Sequence, residues 1–295
     1  MSALHQAGSC GPSRVADAVR SVEAAMDALD RVRSGTAAAN THGGDPGLHR
    51  NRTSLLRHCV NYLVAAAATG DVEAPGPVVD VGAGTGSFSG LLRERLGRPL
   101  TLVDPDEQHA ALAAAAFPDV VVRADLAAAP AAAVVAAMEV VEHLRPAEQQ
   151  GFVAALAERV RPGGALVLST PDESGYLGGW SGYAPHVGPL DAAALLRVVV
   201  AGTGGWPVRV LRIDGPAFRL TRLGAVLQPV GNRAWTAASR LVGGLEPLAV
   251  RAVHRITRDR PAAAVPPDGA WSVADVLAQP AAPGTGLLAV ARRPA

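Results

Sequence analysis

The sequence predicts an α/β fold, a parallel sheet covered by helices on both faces, and three observations predict it. Val78-Val79-Asp80-Val81 runs into Gly82-Ala83-Gly84-Thr85-Gly86 and then into a helical pattern, the signature of a buried strand turning sharply into a helix. From Pro77 onward, short apolar runs alternate with helical patterns, which is the order of a parallel sheet with crossover helices. Acidic residues close several of these runs, at the carboxyl ends where ligands lie in open parallel sheets.

The elements follow in order. Residues 1–13 are small and polar and read as disordered. Residues 14–33 place Val15, Ala18, Val19, Val22, Ala25, Met26 and Leu29 on one stripe, an amphipathic helix. A linker of Gly, Asn, Thr and Asp spans 35–47, and a second helix spans 49–69, stopped by Gly70-Asp71. Strands are expected at 78–81, 100–103, 120–123, 136–141 and 165–169, with helices at 87–96, 107–116 and 147–160 between them. Further strands are expected at 208–213 and 286–291. The long connection between these two has helical patterns at 234–241 and 248–257 and a Pro-rich stretch at 261–267, so it reads as a helical insertion. The resulting organisation is a helical extension and linker over 1–50, an α/β core over 51–214, an insertion over 215–283 and a last core strand in 284–295.

Composition narrows the function. The 295 residues can bury one large core, and the formal net charge is +1 with no basic block. All basic residues are arginine, which together with abundant Ala, Gly and Pro reads as coding bias. No nucleic-acid partner is expected from this charge pattern. Cys10 and Cys59 have no metal-ligand spacing. No run has the length and purity of a membrane span and no signal pattern opens the chain, so a cytoplasmic protein is expected. Oligomeric state is not legible.

The glycines let the backbone take positive φ and leave no Cβ to hold a ligand off the turn. A dinucleotide fingerprint would put its third glycine at position 87, which is Ser87; here it comes one residue early, at Gly86. Asp80, two residues before the first glycine, suits a cationic ligand better than a pyrophosphate. This stretch resembles motif I of the class I S-adenosylmethionine (SAM)-dependent methyltransferases. The resemblance implies a Rossmann-like methyltransferase core with SAM at Asp80, Gly82, Gly84, Gly86, Asp104, Asp125, Leu126 and Met138. Asp104 would accept the ribose hydroxyls, since an ionised carboxylate offers two acceptor oxygens; the competing reading is a helix cap. Asp125 would accept from the adenine amino group, with Leu126 and Pro105 against the ring. In such enzymes N-terminal helices often cover the cofactor or substrate.

At 139–143 the chain reads Glu139-Val140-Val141-Glu142-His143. Two carboxylates and an imidazole at the end of a central strand suit a hard divalent ion such as Mg²⁺ or Mn²⁺. The competing reading makes Glu142 a helix cap and His143 a donor to a backbone carbonyl. The E-x-x-E-H string resembles the metal motif of the ubiquinone-biosynthesis O-methyltransferases and of the small-RNA terminal 2′-O-methyltransferases. That resemblance implies Glu139, Glu142 and His143 as metal ligands. His186 is a further candidate, as a fourth ligand or a general base, and His143 takes the base role if no metal binds. His186 lies in a Gly-rich segment, 172–190, with Tyr176, Trp180 and Tyr183, which reads as a substrate loop. The leading expectation is metal-assisted O-methylation of a hydroxylated small molecule, of secondary-metabolite or quinone-like type. Metal-free N-methylation, RNA 2′-O-methylation and SAM binding without catalysis remain as alternatives.

Overall fold

The computed structural model describes residues 12–34, 52–215, 226–233, 271–276 and 285–295. The linker at 35–47, the helical patterns at 234–241 and 248–257, the Pro-rich stretch, Cys10 and the expected disorder before residue 12 lie outside the described residues. Helices α1 (Pro12–Ser34) and α2 (Arg52–Thr69) precede strand β1 (Val78–Val81). Then follow α3 (Gly90–Leu96), β2 (Leu100–Val103), α4 (Glu107–Ala116), β3 (Val121–Arg123) and β4 (Ala132–Met138). Next come α5 (Pro146–Arg159), β5 (Val160–Pro171), α6 (Ala192–Gly202) and β6 (Val208–Asp214). Residues 226–233 are helical, and β7 (Ser272–Asp275) and β8 (Gly286–Arg292) close the chain.

The strands form one sheet in the order β3-β2-β1-β4-β5-β8-β6-β7. The neighbours from β3 through β5 pair in parallel, and β8 runs antiparallel between β5 and β6. The expected parallel α/β sheet is therefore present, with two reversed strands, β8 and β7, toward one edge.

Alternation along each strand divides the core into two layers. Val78, Val134, Ala136, Leu288 and Val290 face α1, α2 and α3, whose Val22, Leu56, Val60, Leu91 and Leu92 are buried with them. Val79, Val81, Val135, Ala137, Leu287 and Ala289 face α5 and α6, meeting Val153, Leu156, Leu195 and Val199. Asp80 is the one charged residue of β1, fully buried on the α2 side.

Four differences from the sequence expectation need correction. The fourth strand is Ala132–Met138 rather than 136–141, so the acidic motif stands beyond the strand in a turn. Helix α6, opened by the Asp191 carboxylate accepting from the Ala194 N–H at 2.7 Å, was not anticipated. The connection after β6 is not wholly helical, because β7 leaves it to pair antiparallel with β6 at the sheet edge. The first turn of the helix after the glycines also starts late, at Gly90, with residues 87–89 in turns. Among the described residues no helix is long and apolar enough to cross a membrane.

Gly86 has φ +76°, and a Cβ there would stand 2.5 Å from the Leu102 Cδ1 of β2. Gly97, the αL cap of α3 at φ +62°, has open space where its Cβ would be. Gly97→Ala therefore meets only backbone strain, about 1 kcal/mol, while Gly86→Ala meets strain and a clash with a buried side chain, about 2–4 kcal/mol. Urea unfolding of the two variants measures the difference; equal losses would show that Leu102 yields freely.

Candidate active site

The glycine turn is tied to the neighbouring strand. The Gly82 and Ala83 N–H groups donate to the Val103 carbonyl at 2.8 and 3.2 Å, extending the β1–β2 ladder into the turn. Gly82 and Gly84 both take positive φ, and a Cβ on Gly82 would stand 2.5 Å from the Val140 side chain.

Beneath the turn, Asp80 Oδ2 accepts from Ser89 Oγ at 2.6 Å and from the Tyr62 hydroxyl of α2 at 2.9 Å. Its Oδ1 is buried without a partner. Burial raises the Asp80 pKa to about 6, against the pull of these two hydroxyls. Tyr62 stacks on Phe88, and the His58 ring packs tilted against Phe88 at 5.1 Å, so α2 lies directly beside the turn.

Asp104 stands at the end of β2 with both oxygens held by backbone. Oδ2 accepts from the Gly84 N–H at 2.7 Å and Oδ1 from the Asp106 N–H at 3.0 Å. The helix cap is a different residue: Asp106 accepts from the Gln108 and His109 N–H groups at the start of α4. Asp104 is thus freed from the capping role and anchored to the glycine turn. Asp125 does cap, taking the Ala127 N–H at 2.8 Å, and is exposed beside half-buried Leu126. Met138 is buried at the end of β4.

Immediately after Met138 the chain reverses. Glu139 has φ +59° and is the one non-glycine residue at positive φ among those described, a conformation that costs about 1 kcal/mol or more and gathers at functional sites. Its Oε1 accepts from Asn61 Nδ2 of α2 at 3.2 Å and from Ser169 Oγ of β5 at 3.1 Å. Burial raises the Glu139 pKa, opposed by Arg57 and His186.

Glu142 is fully buried, and neither carboxylate oxygen has a hydrogen-bond partner. Burial and the nearby Glu139 charge push its pKa well above the usual carboxylate range, against the pull of the neighbouring Thr170 hydroxyl, which stands short of a well-formed hydrogen bond. It does not cap α5; Glu148 does, accepting from the Arg145 N–H at 3.0 Å. The Glu142 carbonyl accepts from the Gly188 N–H at 3.0 Å, which pins the loop 172–190 across the site. The Gln149 side chain reinforces the crossing: its Nε2 donates to the Gly188 carbonyl at 2.6 Å and the Val141 carbonyl at 3.1 Å. A Cβ on Gly188 would stand 2.1 Å from the Leu144 carbonyl oxygen, so only glycine fits there.

That crossing brings His186 to His143, their rings 5.0 Å apart and edge to face. Potential ligand atoms of Glu142, His143 and His186 all lie within 4.8 Å of one another. Glu139 is outside this group, turned to Asn61 and Ser169. His143 Nδ1 lies 3.2 Å from the Pro185 carbonyl, and burial with the His186 ring holds the His143 pKa below its ordinary value. His186 Nδ1 lies 2.7 Å from Glu173 Oε1. Glu173, just beyond β5, was missed in the sequence. It is buried, and burial pushes its pKa up, yet His186 and Ser181 outweigh this and hold it below the ordinary value. Tyr183 packs edge-on to His186 at 4.9 Å.

The raised Asp80 pKa has a thermodynamic consequence. The folded protein holds a proton on Asp80 that the unfolded chain releases near pH 3.8, so Asp80 costs stability as pH rises from about 4 to about 6. Asp80→Asn keeps an acceptor for Ser89 and Tyr62 and removes this cost. At pH 8 the variant should be more stable by about 1–3 kcal/mol, with the gain gone near pH 4. Urea titrations at the two pH values check it; a gain independent of pH would contradict a titrating Asp80.

Among known proteins, a family model described as a methyltransferase domain matches residues 48–219, more than half of the chain. No curated protein sequence matches significantly. A SAM-dependent methyltransferase from Archaeoglobus fulgidus is similar in structure at 14% identity and TM-score 0.49, over 80% of this chain and 94% of that one. DesVI of Streptomyces venezuelae is similar at 21% identity and TM-score 0.34, over 38% of this chain and 50% of its own. Phosphoethanolamine N-methyltransferase 2 of Haemonchus contortus is similar at 11% identity and TM-score 0.48, over 79% of this chain and 52% of its own. The matches thus span only about half the length of the last two proteins. The chain belongs to the methyltransferase-domain family.

Proposed function

We propose that the chain methylates a hydroxyl group of a small molecule, with a divalent ion held by Glu142, His143 and His186. The observation that carries this reading is Glu142: a carboxylate buried with both oxygens unpaired, beside a second carboxylate and two imidazoles. Isolated buried charge costs several kcal/mol unless it is neutralised or coordinates a cation. One carboxylate and two imidazoles within 4.8 Å fit a divalent ion that keeps waters in its remaining positions. When bound, such an ion would lower the pKa of an acceptor hydroxyl.

The protein's own groups do the positioning. Methyl transfer from a sulfonium needs acceptor oxygen, methyl carbon and sulfur in line, and the gain comes from holding them so. Gly82, Gly84 and Gly86 would hold SAM, and Asp104, whose carboxylate is aimed by the Gly84 and Asp106 N–H groups, would accept from its ribose hydroxyls. Asp80, with one oxygen unpaired under the turn, favours the cationic end of the donor. Asp125, Leu126 and Met138 would stand on the adenine side. The acceptor approaches from the loop, where exposed Tyr183 and Val187 flank His186 and offer apolar contact suited to a quinone-like ring. Near-neutral charge without a basic block favours a small acceptor over RNA.

SAM binding and the metal are separable in this account. Asp104→Ala should weaken SAM binding by more than tenfold in calorimetry, since a charge-assisted contact is worth about 1.5–3 kcal/mol. Undiminished affinity would remove Asp104 from the site. EDTA should abolish turnover of a hydroxylated aromatic acceptor while SAM binding persists, and Mg²⁺ or Mn²⁺ should restore it. Glu142→Gln should reproduce the EDTA result. Full activity in EDTA would refute the ion and leave His143 or His186 as general base.

A further inference from the structure

Glu173 sits outside every motif in the sequence, yet the loop is built around it. Its Oε1 receives Ser181 Oγ at 3.0 Å and His186 Nδ1 at 2.7 Å, and its Oε2 receives the Ser181 backbone N–H. Ser181 is in turn held by the helix at 226–233. The Ser181 carbonyl accepts from Asn232 Nδ2 at 2.9 Å, and the Arg233 guanidinium lies over the Trp180 ring at 5.2 Å. At Gly182 a Cβ would stand 2.7 Å from the Pro229 carbonyl oxygen, so the two segments touch at backbone distance. Part of the long connection after β6 is thus clamped on the loop that carries His186.

An ionised carboxylate only accepts hydrogen bonds, so the short contact with Glu173 requires the proton of a neutral His186 ring on Nδ1. We propose that Glu173 is a positioning residue: pinned by Ser181 against the 226–233 helix, it fixes His186 as the Nδ1–H tautomer. The lone pair then resides on Nε2, the ring atom left for the group formed with Glu142 and His143. The use of that lone pair, as a metal ligand or as a base, rests on the methyl-transfer reading of the site; the tautomer does not. A carboxylate that orients a ligating imidazole also raises its basicity, and loss of such a partner typically costs 10–100-fold in metal affinity.

Glu173→Gln separates the possibilities. The Ser181 N–H still needs an oxygen opposite it, so the Gln amide nitrogen takes the place of Oε1 and presents N–H to Nδ1. His186 must then accept at Nδ1 and carry its proton on Nε2. The test is two-bond ¹H–¹⁵N correlation of the imidazole rings at pH 8 in the metal-free full chain. His186 is assigned from the spectrum of His186→Gln. The wild-type protein should show Nδ1–H, and Glu173→Gln should show Nε2–H with unchanged SAM affinity. Mn²⁺ binding, followed by electron paramagnetic resonance, should weaken by 10–100-fold in the variant. A wild-type Nε2–H tautomer overturns the proposal without need of any variant, and so does an unchanged tautomer in folded Glu173→Gln. If the tautomer switches as expected but neither protein binds Mn²⁺, the positioning role stands and the metal reading falls.

Discussion

The constraint on which the site depends is the desolvation of the Glu142 carboxylate. The group is fully buried and unpaired, and the fold gains nothing from it by way of capping or ion pairing. A side chain with that cost is tolerated only where the surrounding structure is strong enough to hold it. Here the support is backbone-level: the Glu142 carbonyl is tied to Gly188, and Gln149 ties Val141 and Gly188 together. The same bonds that bury the carboxylate fix the loop that brings His186 opposite His143. Position and electrostatic cost therefore have one origin, the crossing of the 172–190 loop over the end of β4.

That crossing is also what separates the two halves of the chemistry. β1 and β2 end in Asp80, the glycine turn and Asp104, all bound to one another through backbone N–H groups and buried hydroxyls. β4 and β5 end in Glu139, Glu142 and Glu173. β4 lies between β1 and β5 in the sheet, so the left-handed turn at Glu139 stands at the seam. Glu139 points back to Asn61 of α2 and Ser169 of β5, while Glu142 turns under the loop. Reversal of the chain at one strained residue divides a five-residue motif between two environments.

The same residues show what a sequence reveals. The strand at 78–81 and its glycine turn were legible because four buried residues and positive-φ glycines have no cheap alternative conformation. β2 and α4 were legible for similar reasons, an apolar run ending in acid and a helix capped by Asp106. The fourth strand was placed four residues late because Ala132–Met138 is rich in alanine, which carries little strand preference, and the acidic motif drew the boundary toward itself. Helix α6 opens at its Asp191 cap directly behind the Gly-rich loop 172–190, where the sequence predicts no helix. Glu142, His143 and His186 were recoverable as residue types, though their separation from Glu139 depends on a backbone angle that no residue pattern encodes. Glu173 had no signal at all: its partners at 181 and 186 meet it through loop geometry, without period or motif.

The long connection after β6 reads as helical in the sequence. Its described parts attach at two places, and the two attachments differ in kind. β7 pairs with β6 through a regular antiparallel ladder at the sheet edge, which covers an otherwise open strand and concerns stability. The helix at 226–233 instead meets residues 180–182 through one side-chain amide, one cation–π contact and a glycine-sized gap. Contacts of the second kind fix the place of residues 180–182. They hold Ser181, Ser181 holds Glu173, and Glu173 holds His186. The segment least like a regular core element is thereby joined to His186 through Ser181 and Glu173.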